Sequence, residues 1–364
     1  MKRDHTIIPA LTGIRAIAVY FIFFKHHNVF IEEGSAGNLF INQFYSFLSF
    51  FFVLSGFLIC HRYYSVGTFE RKTIWNYFIN RVTRVFPILL ILITATFALQ
   101  YLTSSETTLH IIKSWAYNVS LLKGFSSEYL LTGIGPSWSM SVEELFYLIS
   151  PLLFFLIKKP SGIIKFTLGM YALGLVITFF FMQINFDGFF SSYHFTFYST
   201  FFGRAFEFGC GIYLAMIMRG KFRDNILNNI PTPQLTGVIM IFATILLQYF
   251  IAKNYGVVNA VETWPGALLN NLFLPVGITI FFYGLVHRES FIKRVLASNL
   301  LVALGNSTYS FYLLHTSFVM GWIMLYISSN LLIAFPTIII VSYLFYKTVE
   351  QPLATVLRRK WSRR

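Results

Sequence analysis

The chain has 364 residues, of which 56% are hydrophobic, 19% aromatic and only 12% charged; its mean hydropathy is +0.65. A soluble domain carries about 25% charged residues, so these figures exclude a soluble globule. They leave a polytopic membrane protein with little chain for a separate soluble domain. The net charge of +14 would suggest nucleic acid in a soluble protein, but here anionic membrane lipid accounts for it, and no nucleic-acid partner is expected.

Apolar stretches of about 20 residues, the length that spans a bilayer, fall at roughly 7–26, 43–61, 79–101, 138–157, 163–183, 197–218, 235–252, 266–286, 301–327 and 330–349. The expected fold is an all-α integral membrane bundle of about ten helices. It forms a single domain over 1–364, with a short basic tail at 351–364 after a helix stop at Glu350-Gln351-Pro352. The ninth stretch is the longest, so it is the one to be tilted or broken. The stretch from 103 to 137 mixes Trp115, Tyr117, Leu121 and Leu122 with polar residues and reads as an interfacial loop with a short amphipathic helix. Arg15 interrupts the first apolar run, which argues for an uncleaved first span over a signal peptide. Cys60 and Cys210 both lie in apolar segments, which argues against a disulfide framework.

Lysine and arginine placement sets the orientation. With the N-terminus inside, the inner segments collect most of the 28 basic residues, including Lys2, Arg3, Arg62, Arg71, Lys72, Lys158, Lys159, Lys221, Arg223, Lys347, Arg358, Arg359, Lys360, Arg363 and Arg364. The outer segments hold Lys113, Lys123 and Lys253, with Lys25 at the outer end of span one. Both termini are therefore expected in the cytoplasm.

Chemistry-bearing residues appear inside these spans, where charge is costly and usually functional. In span one, Arg15 and His26 are eleven residues apart. At 3.6 residues per turn they share a face, roughly 16 Å apart along the axis, while Lys25 and His27 point to either side. His26 is a candidate general base, because imidazole titrates near neutrality; otherwise it is a headgroup-level histidine that sees water. Ser55 and Gly56 in span two allow close approach of a ligand or another helix. Arg81 and Arg84 share a face at i, i+3 and could grip one phosphate or anchor to lipid. Pro136-Ser137-Trp138-Ser139-Met140-Ser141-Val142-Glu143-Glu144 opens span four. Its two acids either act chemically or sit at a helix N-terminus favoured by the macrodipole. Arg204 and Glu207 read as a buried structural ion pair. Thr308, Tyr312 and His315 form a polar stripe at i, i+4, i+7 beside Tyr309, suited to substrate or to interhelical hydrogen bonds. No metal-ligand spacing, Walker loop or dinucleotide fingerprint occurs.

Taken together, these motifs resemble the acyltransferase-3 family of bacterial membrane acyltransferases. The resemblance rests on Arg15-x10-His26, on Phe51-Phe52-x-x-Ser55-Gly56 and on Arg81-x-x-Arg84-x-x-Pro87. It continues with Trp138-Ser139-x-Ser141-x-Glu143-Glu144-x-Phe146-Tyr147 and Tyr309-Ser310-x-Tyr312-Leu313-x-His315. The motifs are in family order and cover nearly the whole chain. The resemblance implies a multi-pass protein of the bacterial cytoplasmic (inner) membrane. It implies transfer of an acyl group, usually acetyl from acetyl-CoA as cosubstrate, to a hydroxyl of a lipid-linked extracytoplasmic glycan, first among them an O-antigen sugar of lipopolysaccharide. Peptidoglycan, exopolysaccharide and a small molecule such as a macrolide are the other acceptors.

On this reading His26, Arg15 and Glu143 are catalytic. Arg81, Arg84, Ser55 and Gly56 bind the donor. Trp138, Ser139, Ser141, Glu144, Tyr309, Tyr312 and His315 line the acceptor side, and no metal takes part. Two departures matter. Many relatives have Asp-Gly-Leu-Arg where this chain has Thr12-Gly13-Ile14-Arg15, so an aspartate role there is absent. Larger relatives append an SGNH-hydrolase-like domain, whereas this chain ends soon after span ten, so a stand-alone transferase is expected.

Two readings of other classes remain. An anionic-solute transporter would use Arg15, Arg204 and His315 along a pathway, although no inverted-repeat or broken-helix pattern is evident. A scaffold for glycan assembly would tolerate loss of charge at Arg15 and His26. The helical geometry makes a discriminating prediction. His26→Ala should abolish acyl transfer while the protein still accumulates in the membrane, and His27→Ala should be much milder; assay of glycan O-acetylation in the two mutants checks it.

Overall fold

The computed structural model describes residues 8–27, 32, 34–64, 71–220 and 226–362. Lys2, Arg3, Lys221, Arg223, Arg363 and Arg364, which carry part of the charge asymmetry, lie outside the described residues. Among the described residues there is no strand beyond an isolated bridge between Ser126 and Phe189. The helices that matter for the site are, in chain order, α1 (Pro9–His26), α2 (Leu48–Tyr63), α3 (Arg71–Thr103), α4 (Thr108–Val119), α5 (Trp138–Leu156), α6 (Pro160–Ile184), α7 (Phe201–Met218), α8 (Pro233–Tyr255), α9 (Leu274–His287), α10 (Asn299–Asn306), α11 (Thr308–Leu314), α12 (Phe318–Tyr326), α13 (Leu331–Phe345) and α14 (Gln351–Ser362).

Seven helical stretches among the described residues are long and apolar enough to cross a bilayer. They correspond to the expected spans two, three, five, six, seven, eight and ten. Spans one and four are the continuous helices α1 and α5. The expected ninth span is not one helix: it is α10, α11 and α12 in series. Ser307 and Ser317 stand at the two breaks, and the Ser317 hydroxyl caps α12 by accepting from the Val319 amide at 3.2 Å. Short polar side chains that bond the local backbone compete with helix continuation, which the apolar run concealed. Broken helices are therefore present in this chain.

The helix stop expected at Glu350-Gln351-Pro352 does not occur either. A π-helical turn over Tyr346–Glu350 carries α13 directly into α14. The wider turn shifts the bonding pattern just before Pro352, where an amide donor is missing. The expected basic tail is accordingly helical as far as Ser362.

The chain packs as two compact units, each drawn from three segments. The first comprises Met1–Gly67, Leu152–Val176 and Thr196–Asn306. Its helices approach backbone to backbone. A Cβ at Gly56 would overlap the Phe208 carbonyl on α7, and one at Gly211 would overlap the Val53 carbonyl on α2. In the same way Gly13 of α1 lies against the Leu296 carbonyl and Gly305 against the Thr12 carbonyl. Small residues permit this where dispersion and interhelical bonds replace the hydrophobic drive.

Two polar strings cross the first unit's interior. Arg204 Nε donates to Glu207 Oε2 at 2.7 Å, and the Ser49 hydroxyl donates to Glu207 Oε1 at 2.5 Å. The Arg204 guanidinium also lies 5.2 Å from the Phe52 ring. All three polar side chains are buried. The second string runs from the Ser46 hydroxyl to Gln248 Oε1 at 2.6 Å, and Gln248 Nε2 donates to Asn270 Oδ1 at 3.4 Å. Asn270 and Asn271 lie on a π-helical turn, Leu269–Phe273. From there Asn271 Nδ2 reaches the Phe197 carbonyl at 2.7 Å. Cys60 and Cys210 are both buried free thiols in this unit.

The second unit comprises Thr68–Pro151, Ile177–Phe195 and Ser307–Arg364. The short helix expected in the segment after α3 is α4. The helix α4 doubles back along α3, so that Trp115 Nε1 donates to Thr94 Oγ1 at 3.1 Å. Thr94 is roughly 13 Å down the helix from Thr103 at 1.5 Å per residue. The Tyr77 hydroxyl donates to the Tyr147 carbonyl at 2.8 Å and so fastens α3 to α5.

Removing one partner of a buried ion pair costs about 3–5 kcal/mol, whereas replacing both by apolar residues is often neutral. Arg204→Met alone should therefore lower the unfolding midpoint sharply in detergent, and adding Glu207→Leu should recover most of the loss; a thermal melt of the purified variants checks both.

Candidate active site

In the first unit, α1 is an unbroken helix of 18 residues whose first residue is Pro9. Proline suits that position, because its fixed φ matches the helix and its missing N–H has no intrahelical partner to lose. With no kink, Arg15 and His26 keep the alignment that helical spacing demands, roughly 16 Å apart. Both are half-buried. His27 differs from His26. It leaves the helix at φ −117°, its amide closes the last turn on the Phe23 carbonyl at 2.9 Å, and its ring packs 4.5 Å from the Phe23 ring. Ser55 and Gly56 lie on α2 in the same unit, where the close approach that Gly56 permits is taken up by the α7 backbone.

The other candidates lie in the second unit. Arg81 is buried, with its guanidinium 5.0 Å from the Tyr147 ring, and Arg84 is half-buried. Both act electrostatically on Glu144, as does Glu143. The two arginines thus belong to an interior charge cluster with α5, and only Arg84 retains the exposure of an open anion fork. Glu143 accepts from the Tyr147 hydroxyl at 2.7 Å, one turn along its own helix.

Of the acceptor-side candidates, Ser139 and Tyr312 come together at the start of α5. The hydroxyls of Ser139 and Tyr312 are 2.6 Å apart, and Tyr312 donates to the Pro136 carbonyl at 2.5 Å. Ser139 can then donate to Tyr312, giving a directed chain from the helix to the turn before it. Tyr309 donates to the Val85 carbonyl at 2.6 Å. His315 is fully buried, with Nδ1 bonded to the Phe311 carbonyl at 3.0 Å. Trp138 is buried, and so is Ser141, whose hydroxyl has no hydrogen-bond partner among the described residues.

Three further participants escape a reading of the sequence. Lys123 is fully buried among oxygen atoms, and burial pushes its ammonium down to about 7. A lone lysine followed by glycine in Leu121-Leu122-Lys123-Gly124 is the available signal. Glu350 is buried and accepts from the Ser310 hydroxyl at 2.5 Å, which its place beside a proline conceals. Asp187 accepts from Lys113 Nζ at 2.6 Å and from the Tyr117 hydroxyl at 2.5 Å, while its carbonyl accepts from the Ser126 hydroxyl at 2.5 Å. This clasp joins the 103–137 and 184–196 segments, both of which the charge asymmetry assigns to one side of the membrane. Among the described residues no three His, Cys, Asp or Glu side chains are grouped to hold a metal ion.

The five ordered motifs lie on a helical membrane scaffold, and Ser139 and Tyr312 of the last two meet in its interior. The chain belongs to the acyltransferase-3 family: residues 8–347 match the family described as an acyltransferase domain. It is 26% identical over 381 aligned residues to SACOL0978 of Staphylococcus aureus (strain COL), provisionally named an O-acetyltransferase, covering 95% of this chain and 57% of that one. It is 24% identical over 329 residues to the O-acetyltransferase OatA of Staphylococcus aureus (strain NCTC 8325 / PS 47), covering 85% of this chain and 50% of that one. The chain thus spans little more than half the length of these relatives. No solved structure shows a significant match. The chain is a multi-pass membrane protein of that family.

The clasp has a definite pH dependence. Lys113 and Tyr117 hold the Asp187 carboxyl below its ordinary 3.8, and Asp187 holds the Lys113 ammonium above its ordinary 10.5. The depressed acid contributes stability above pH 3.8 that is lost as pH falls through its folded pKa. The raised base contributes below pH 10.5 and loses its contribution as pH rises through its own. Limited proteolysis at 184–190 should therefore be slow across this window and accelerate at its acid edge. Asp187→Asn should cut fast throughout and lose the acid-dependent step.

Proposed function

We propose that the protein moves an acetyl group from cytoplasmic acetyl-CoA to a hydroxyl of an extracytoplasmic cell-surface glycan. The observation that carries this reading is α1: one unbroken helix with a guanidinium and an imidazole on one face, its inner end on the side favoured by the basic residues. Membership of the family and the O-acetyltransferase names of the relatives support the chemistry. Arg84, with Arg81 behind it, meets the phosphates of the donor from the cytosol. His26 takes the proton of the acceptor hydroxyl, and the oxygen attacks the thioester carbonyl. The carbon–sulfur bond breaks, and the proton passes to the departing CoA thiolate, leaving acetyl ester and free CoA. Transfer through an acetyl-histidine is the two-step variant of the same exchange. Arg15 holds the donor arm or polarises the thioester, and the Ser139–Tyr312 pair, with Trp138, Ser141, Glu144, Tyr309 and His315, forms the acceptor side. Glu143 orients the reacting groups, and no metal is required. The enzyme sits in the cytoplasmic membrane with both termini inside, and its acceptor is a lipid-linked glycan, with O-antigen the first candidate and peptidoglycan the second.

The test is free-thiol release by the purified protein in nanodiscs, supplied with acetyl-CoA and either acceptor. CoA should appear only when the right glycan is present, and His26→Ala should release none. Movement of an anionic solute without CoA release would instead support transport.

A further inference from the structure

A lysine with no exposed surface sits directly behind the acceptor-side motif. Lys123 Nζ donates to the Thr132 carbonyl at 2.6 Å, to Asn118 Oδ1 at 3.1 Å and to the Ile134 carbonyl at 3.2 Å, and lies 3.3 Å from the Ser137 hydroxyl. Four oxygens thus share the three donors of one ammonium, and no carboxylate among the described residues lies within ion-pair distance of it. A buried charge without a counter-ion is expensive, so it persists only where such oxygens replace its hydration. The partners are not scattered. Ile134 and Ser137 flank Pro136, and Pro136 is the residue whose carbonyl accepts from Tyr312. The next residue, Gly124, completes the attachment: a Cβ there would come 3.0 Å from the Trp138 carbonyl and would overlap Ser141. Lys123 and Gly124 therefore grip the turn before α5 and the first turn of α5 together.

We propose that Lys123 is a positioning residue for acyl transfer: by clamping Ile134 and Ser137 it sets the Pro136 carbonyl, which accepts from the Tyr312 hydroxyl and so leaves the Tyr312 oxygen to accept from Ser139. This rests on the reading above, in which Ser139 and Tyr312 form the acceptor side. The ammonium does not touch the acceptor; it acts through the turn. The clamp draws together the end of α4, the 132–137 turn and α5, which explains why a charge is kept there despite its burial. An apolar side chain of similar length would fill the space but leave the Thr132 carbonyl and Asn118 Oδ1 without the ammonium, while the Ile134 carbonyl would keep only the Ser137 amide at 3.0 Å and hydroxyl at 2.7 Å; orphaned groups pull a turn toward other partners.

The test is a double-mutant cycle in nanodiscs between Lys123→Met and Tyr312→Phe, reading acceptor-dependent CoA release. Each single variant should lower kcat at least tenfold with KM for acetyl-CoA unchanged. The double variant should fall no further than the worse single one, because residues acting as a unit are not additive. Additive losses, a wild-type kcat in either single variant, or a loss confined to KM would overturn the proposal. Should Lys123→Met fail to accumulate, Ser137→Ala removes one of the clamped oxygens and enters the same cycle, where non-additive losses again support the clamp and additive losses overturn it. Hydrogen exchange reads the link without turnover. Amides of 134–142 should exchange at least tenfold faster in the Lys123 or Ser137 variant while those of 204–214 keep wild-type rates; unchanged exchange at 134–142 sinks the proposal even if the enzyme is active. A wild-type protein that releases no CoA with either glycan counts against the proposed function, whereas the exchange result tests the clamp on its own.

Discussion

Charge placed inside an apolar slab must be answered from within the chain, because neither lipid nor a tightly packed core supplies water to do it. That constraint explains the arrangement of both units. Arg204 has its carboxylate one turn away, and that carboxylate has Ser49. Glu350 has Ser310. Lys123 has no acid among the described residues and instead gathers two carbonyls, an amide oxygen and a hydroxyl. In each case the helix or turn that brings the partner is irregular or unusually close. The Glu350 pair sits on a π-helical turn, and the Ser49–Glu207 bond requires α2 and α7 to touch at Gly56 and Gly211.

The same constraint accounts for the broken helices. An unbroken ninth span would align its peptide groups with one another. The break at Ser307 and the second at His315 to Ser317 create the short helix α11, which carries Tyr309, Ser310 and Tyr312 to three different oxygens: the Val85 carbonyl, Glu350 and the Pro136 carbonyl. Irregular backbone at membrane depth is tolerated where it is buried in protein. Here the same irregularity is what turns three neighbouring hydroxyls toward three different partners. The doubling back of α4 along α3 works in the same direction, since its last turn supplies Asn118 as one of the oxygens around Lys123.

Much of this is legible in the chain. Hydropathy fixes that it is an all-helical membrane protein, and helical spacing fixes that Arg15 and His26 share a face, because local geometry has a single period whatever the surroundings. The motif order marks the acyltransferase family for the same reason: it is a property of the chain itself. The adjacent Arg204 and Glu207 are readable as an ion pair, since three residues on a helix always meet. What the sequence does not disclose is anything set by partners distant along the chain. Arg81 and Arg84 look like an open fork until the Tyr147 ring and Glu144 are placed beside them. Gly56 looks open to a ligand until the Phe208 carbonyl fills the space. Lys123 looks like one more outer lysine until four oxygens converge on it. A membrane raises the energy of every unanswered polar group, but that rule says only that each such residue needs a partner; packing alone decides which oxygen, ring or helix answers.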